Sequence, residues 1–265
     1  MFIFEEDIMA WDKKYVLVIS WWGTKGLYAC GILKAMEELG LRDQIEAIYG
    51  VSAGALTGAY WASGWKAEDV LERFLTSDLF SFKNIALPPK MSLLRSSVVE
   101  DLLKQDIKPT FEELSVPLYV GTTDIWKAEF RLFSKWELLR PVLASMAIPG
   151  IFPAVEYDGS MLVDGGVLCN FPLEYAKRDY PEQEVIGIYL GQFRKDQPVN
   201  SLMDTLMLSY MVSMQAHLLK DLDQVNYLFK RKLKVGVIDT AEEKIRDIFD
   251  QGYEDGLQKF WTLDK

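Results

Sequence analysis

Gly50-Val51-Ser52-Ala53-Gly54 constrains this chain more than any other segment. It follows a short apolar run (Ile45, Ala47, Ile48, Tyr49) and precedes a small-residue stretch from Ala55 to Ala62. An apolar run, a glycine-flanked turn and small residues at helical length describe a strand that turns sharply into a helix lying close against it. A serine at such a turn has its hydroxyl exposed and is a candidate nucleophile. The competing reading is a helix cap, in which the hydroxyl accepts from a free backbone N–H. A cap needs only the serine, whereas a strained turn also needs Gly50 and Gly54 on either side of it.

Further along, the same strand-then-helix pattern recurs. Residues 15–20 (YVLVIS) form a continuous β-branched run suited to a strand buried on both faces. A turn at 21–26 leads to a helix over 27–39, stopped by Gly40. Hairpins are expected at 116–134, around Asp124 to Lys127, and at 154–164, through Asp158-Gly159. A helix is expected over 137–147, a strand at 184–191, a long helix at 201–230, a strand at 233–238 and a helix at 241–260. Alternating strands and helices predict an α/β fold, a three-layer sandwich with a mostly parallel central sheet. The 265 residues and 49% hydrophobic content suit one domain over 1–265, with the motifs in about 15–175. Residues 80–95, with Pro88, Pro89 and several apolar side chains, are the lid candidate.

A net charge of −10 and a pI near 4.8 oppose nucleic-acid binding and give no attraction to anionic lipid, so contact with a membrane surface would be apolar and transient. Cys30 and Cys169 have no metal-ligand spacing and read as small buried residues in a reducing compartment. Glu5, Glu6 and Asp7 stand where a secretory signal carries basic residues, and no run reaches the length of a membrane span. The expectation is a cytoplasmic protein, at most peripheral at membranes.

A serine hydroxyl needs a base. The only histidine, His217, falls in a methionine-rich helical stretch (Met203, Met207, Met211, Met214), where a core or polar-face histidine is the ordinary reading. The stretch itself reads as core, or as the lining of an acyl-chain pocket. A Ser-Asp-His order would suit an α/β-hydrolase, but that fold expects the histidine on a loop. Asp164 is the better base: Met161, Leu162 and Val163 deliver it to a strand end, and Gly165 and Gly166 let backbone approach. Asp158-Gly159 already supplies the hairpin turn, so a second Asp-Gly six residues on needs another reason. Oxyanion donors are expected from Trp22, Gly23 and Thr24, in the loop that ends at Gly26, and from the N–H of Ala53. No oxygen-rich loop suggests a metal or other cofactor.

At these residues the chain closely resembles the patatin-like phospholipases. The resemblance runs through residues 16–26 and 49–54, Ala144-Ser145-Met146-Ala147-Ile148-Pro149 with Phe152-Pro153, and Val163-Asp164-Gly165-Gly166 into Asn170 and Pro172, with Gly252-Tyr253 near the end. It implies a lipid acyl hydrolase with a Ser-Asp dyad, Ser52 as nucleophile, Asp164 as base and an oxyanion hole around Gly23 and Thr24. The substrate would be a phospholipid, lysophospholipid or other fatty-acyl ester, with no cofactor. The family's loop opens with consecutive glycines where this chain has Trp21 and Trp22, which gate the acyl channel or pack on the sheet. Two alternatives stay open: a catalytically weak relative that binds lipid or a protein partner, and a His-dependent α/β-hydrolase esterase.

Overall fold

A computed structural model describes residues 13–21, 25–77, 96–190, 199–216, 222–233 and 241–261. The strands are β1 (Tyr15–Trp21), β2 (Ile45–Ser52), β3 (Leu118–Asp124), β4 (Glu129–Phe133), β5 (Val155–Tyr157), β6 (Ser160–Asp164), β7 (Glu184–Tyr189) and β8 (Tyr227–Phe229). The helices are α1 (Gly26–Glu38), α2 (Ala53–Ala62), α3 (Ala67–Thr76), α4 (Ser96–Asp106), α5 (Leu139–Ser145), α6 (Leu173–Asp179), α7 (Leu202–Ala216) and α8 (Glu242–Trp261). The strands form one sheet in the order β5-β6-β3-β2-β1-β7-β8, with β4 also paired to β3.

One half of the sheet is parallel, from β3 through β2, β1 and β7 to β8. In the other half β4, β5 and β6 are joined antiparallel, so the sheet is mixed. Apolar residues at every position of 15–19 are explained by β1 lying centrally. Leu17 and Ile19 enter the larger core with α1, α2, α3 and α8, while Val16 and Val18 pack on the other face with Phe171, Leu173 and Ala176. Helices on both faces make the expected three-layer α/β sandwich.

Helices α1 and α8 touch backbone to backbone. A Cβ at Gly31 would lie 2.0 Å from the Phe249 carbonyl oxygen, and one at Gly252 would lie 1.9 Å from that of Tyr28. The Gly252 motif is therefore a packing requirement.

Two expectations, one helix and one cysteine burial, are corrected. Of the long helix expected at 201–230, α7 covers Leu202–Ala216, while residues 222–230 hold a 3-10 turn at Leu222–Gln224 and β8. The strand expected at 233–238 lies largely outside the described residues; the strand that extends the sheet is Tyr227–Phe229. Cys30 is buried as expected, whereas Cys169 is half-buried.

Candidate active site

Strand β2 ends at Ser52 and α2 begins at the next residue. The junction has no linker, so one residue must absorb the reversal. Ser52 does so with φ 58° and ψ −130°, outside the regions an L-residue favours, and its side chain does not cap the helix. Gly54 lets α2 settle on the sheet, because a Cβ there would lie 2.2 Å from the Ile19 carbonyl oxygen. Gly50 is crowded in the same way, its Cβ position lying 2.7 Å from Ala55 Cα. Both glycines of the motif are required by backbone contact, and the cap reading of Ser52 is excluded.

Asp164 arrives from the antiparallel half. Strand β6 sets it opposite Thr122 of β3, and its N–H donates to the Ala147 carbonyl over 3.0 Å. Gly165 passes so close to β3 that a Cβ would lie 2.5 Å from the Gly121 oxygen. The carboxylate is thereby brought to the serine: Ser52 Oγ donates to Asp164 Oδ2 over 2.6 Å. The other oxygen, Oδ1, accepts the Gly166 N–H over 2.8 Å. Both side chains are buried, Ser52 at 3% and Asp164 at 1% exposure. Burial raises the Asp164 pKa to about 6, against the hydrogen bonds from Ser52 and the Gly166 amide that favour the ionised form.

Ser145 and Tyr210 also belong to this site, and neither was assigned a role from the sequence. Ser145 Oγ accepts the Ser52 N–H over 2.8 Å and donates to the Gly121 carbonyl over 2.7 Å, pinning the strained turn to β3. The signal was its place in the segment Ala144 to Pro149 that carries the resemblance; in the structure Ser145 is fully buried at the end of α5. Tyr210 of α7 has its hydroxyl buried beside Gly166, next to the point that Asp164 Oδ1 also borders. Asn170 accepts a 2.7 Å hydrogen bond from the buried Ser20 hydroxyl, tying the segment after Asp164 to β1.

Ala53 is the first residue of α2, where main-chain N–H groups have no intrahelical acceptor. Trp22, Gly23 and Thr24 of the expected oxyanion loop lie outside the described residues, as do His217 and the 80–95 lid candidate. The methionine stripe divides: Met214 is buried, while Met207 and Met211 are half-exposed, so α7 is not simply a core helix. Beside the serine, Ala53 and Gly26 border an apolar pocket lined by Leu27, Leu56, Val70 and Phe74. Among the described residues no cluster of three or more His, Cys, Asp or Glu could hold a metal ion.

A mixed sheet whose parallel strand β2 turns directly into a helix at a buried serine, with an aspartate from β6, on the far side of β3, against its hydroxyl, has the layout of a serine hydrolase. The family model for patatin-like phospholipase matches residues 23–177, and the chain belongs to that family. It is 30% identical over 183 residues to human patatin-like phospholipase domain-containing protein 6, an alignment covering 66% of this chain and 13% of that protein. It is 29% identical over 174 residues to lysophospholipase NTE1 of Pyricularia oryzae, covering 62% of this chain and 11% of that one. The chain thus spans a small part of the length of these relatives. The crystal structure of VipD from Legionella pneumophila superposes with a TM-score of 0.57 at 16% identity, covering 94% of this chain and 67% of that one, which shows a shared fold.

Proposed function

We propose that the chain is a metal-independent serine acyl hydrolase of fatty-acyl esters, acting on lysophospholipid, phospholipid or a related lipid through an acyl-Ser52 intermediate. The observation that carries this reading is the 2.6 Å hydrogen bond from Ser52 Oγ to Asp164 Oδ2, a direct contact with no imidazole between them. Family membership and the relatives named as phospholipases and lysophospholipases support the lipid class.

Asp164 takes the hydroxyl proton as Ser52 Oγ bonds to the ester carbonyl carbon, and the carbonyl π electrons move to oxygen as an oxyanion. The Ala53 N–H at the start of α2 donates to that oxyanion, with Trp22, Gly23 and Thr24 as its further donors. Collapse breaks the ester C–O bond, and protonated Asp164 returns its proton to the departing alkoxide. Water then adds to the acyl-enzyme with Asp164 again as base, releasing fatty acid and restoring the serine hydroxyl. The strained Ser52 backbone holds Oγ against Asp164 before substrate arrives.

The apolar pocket beside Ala53, with a volume of about 50 Å³, suits the first carbons of an acyl chain. Exposed Leu202, Leu206 and Val212 on α7 suit transient contact with a lipid surface. Among the described residues no helix is long and apolar enough to cross a membrane.

A fluorophosphonate should label Ser52 stoichiometrically, read by intact mass and peptide mapping, with Ser52→Ala unlabelled. A folded wild-type protein that takes no label, or takes it elsewhere, would refute the nucleophile assignment. Lipid binding without turnover would favour the weak-relative reading.

A further inference from the structure

Asp164 has two carboxylate oxygens, and the dyad employs one. Oδ2 accepts from Ser52, while Oδ1 faces the turn of Gly165 and Gly166 and, across it, helix α7. A Cβ built on Gly166 would lie 2.8 Å from Tyr210 Oη and 3.1 Å from Asp164 Oδ1. The phenol oxygen and the carboxylate oxygen thus flank one point that only glycine leaves open. Met214 closes the same point from the next turn of α7, its Cε 3.1 Å from that Cβ position. The Tyr210 ring is half-exposed, but its hydroxyl is sealed from solvent. A buried phenol hydroxyl is retained where it has a partner to serve.

We propose that Tyr210 is a positioning residue of the site: from α7 its hydroxyl donates toward the edge of Asp164 that Ser52 does not use, keeping the carboxylate ionised and turned to the serine. The inference rests on the reading of Ser52 and Asp164 as a dyad. The groups acting on Asp164 are the Ser52 hydroxyl at the β2–α2 junction, the Gly166 amide and the Tyr210 hydroxyl, and none of them is charged. Thr122 and Thr123 of β3 are its neutral neighbours in the sheet, and α5 is followed by the Ala147 carbonyl that takes its N–H. Among the described residues no cation stabilises the carboxylate, so neutral donors are the means available there, and Tyr210 is the one that lies on a separate helix. Gly166 is in turn explained as the gap through which the phenol reaches the base.

Tyr210→Phe retains the ring and removes the donor. The Asp164 carboxyl is followed by carbon NMR across pH in wild type and variant, alongside the acid limb of kcat/KM on a short-chain nitrophenyl ester. The wild-type midpoint, expected at about 6, should rise by about one unit in Tyr210→Phe. The acid limb should rise with it, while kcat above pH 8 stays within several-fold of wild type. Met214→Ala, which loosens the same contact without removing a donor, should lower thermal stability and leave the midpoint in place. Installing 3,5-difluorotyrosine at 210, a stronger donor of nearly the same shape, should move the midpoint down and keeps the test decisive if Tyr210→Phe does not fold. A folded Tyr210→Phe whose Asp164 titrates with wild type, or a difluorotyrosine protein with an unmoved midpoint, overturns the proposal. The NMR arm reads even if the protein proves to lack turnover, so failure of the dyad reading is a separate result.

Discussion

The two halves of the site are held in different ways. On the serine side, contacts are backbone against backbone: a Cβ on Gly54 would lie 2.2 Å from a β1 carbonyl oxygen, with nothing free to move aside. Around Gly166 on the aspartate side, the neighbours are the ends of side chains, Tyr210 Oη, Asp164 Oδ1 and Met214 Cε, at 2.8–3.1 Å. Gly165 fixes the backbone of Asp164 against β3 as Gly54 fixes that of Ser52 against β1, so the difference lies at the carboxylate, which meets groups that can shift. This division suits the chemistry, since the attacking atom must be aimed while the base must be tuned.

Paired alanine substitutions test that contrast at its sharpest. Gly54→Ala should cost about 3 kcal/mol or more, because the sheet or α2 must move. Gly166→Ala should cost about 1 kcal/mol, since Tyr210 and Met214 can swing away, yet it should lower esterase activity. Urea unfolding with parallel rates measures both. Equal stability losses would erase the distinction between a backbone-fixed and a side-chain-fixed half.

A smaller effect isolates the base. The folded-state pKa of Asp164 is raised from 3.8 to about 6, so folding favours its neutral form. Ionised Asp164 therefore destabilises the fold above about pH 6, by roughly 3 kcal/mol from the size of the shift. Below the unfolded value the penalty vanishes. Asp164→Asn should be more stable than wild type at pH 8, by about 1–3 kcal/mol, with the gain shrinking as pH falls through 6 toward 4. A gain that is absent or independent of pH would show that burial does not oppose the charge.

The contrast also explains what was legible in the sequence. Gly50, Ser52 and Gly54 announced the turn because backbone crowding can be met only by residue type, and Asp164-Gly165-Gly166 did so for the same reason. The apolar run at 15–19 likewise fixed β1 as a central strand. Strand direction was less visible: nothing in β6 says that it runs antiparallel to β3, although that pairing delivers Asp164. Strand β8 was missed because three residues, Tyr227–Phe229, are too few for a period to show, and no glycine or proline interrupts 199–235 to end the helical pattern. Ser145 and Tyr210 escaped because their roles depend on tertiary approach. A serine at the end of a short helix and a tyrosine among methionines look like ordinary core residues until β3 and Asp164 are in place.

The central claim is that Asp164 itself takes the proton from Ser52. Steady-state rates of Asp164→Asn and His217→Gln on a short-chain nitrophenyl ester, each first shown to be folded, test it most directly. Asp164→Asn should lose a factor of about a hundred to ten thousand, because the amide is not basic, while His217→Gln should keep most of the wild-type rate. A folded His217→Gln protein that is essentially inactive would contradict the dyad and transfer the role of base to the histidine.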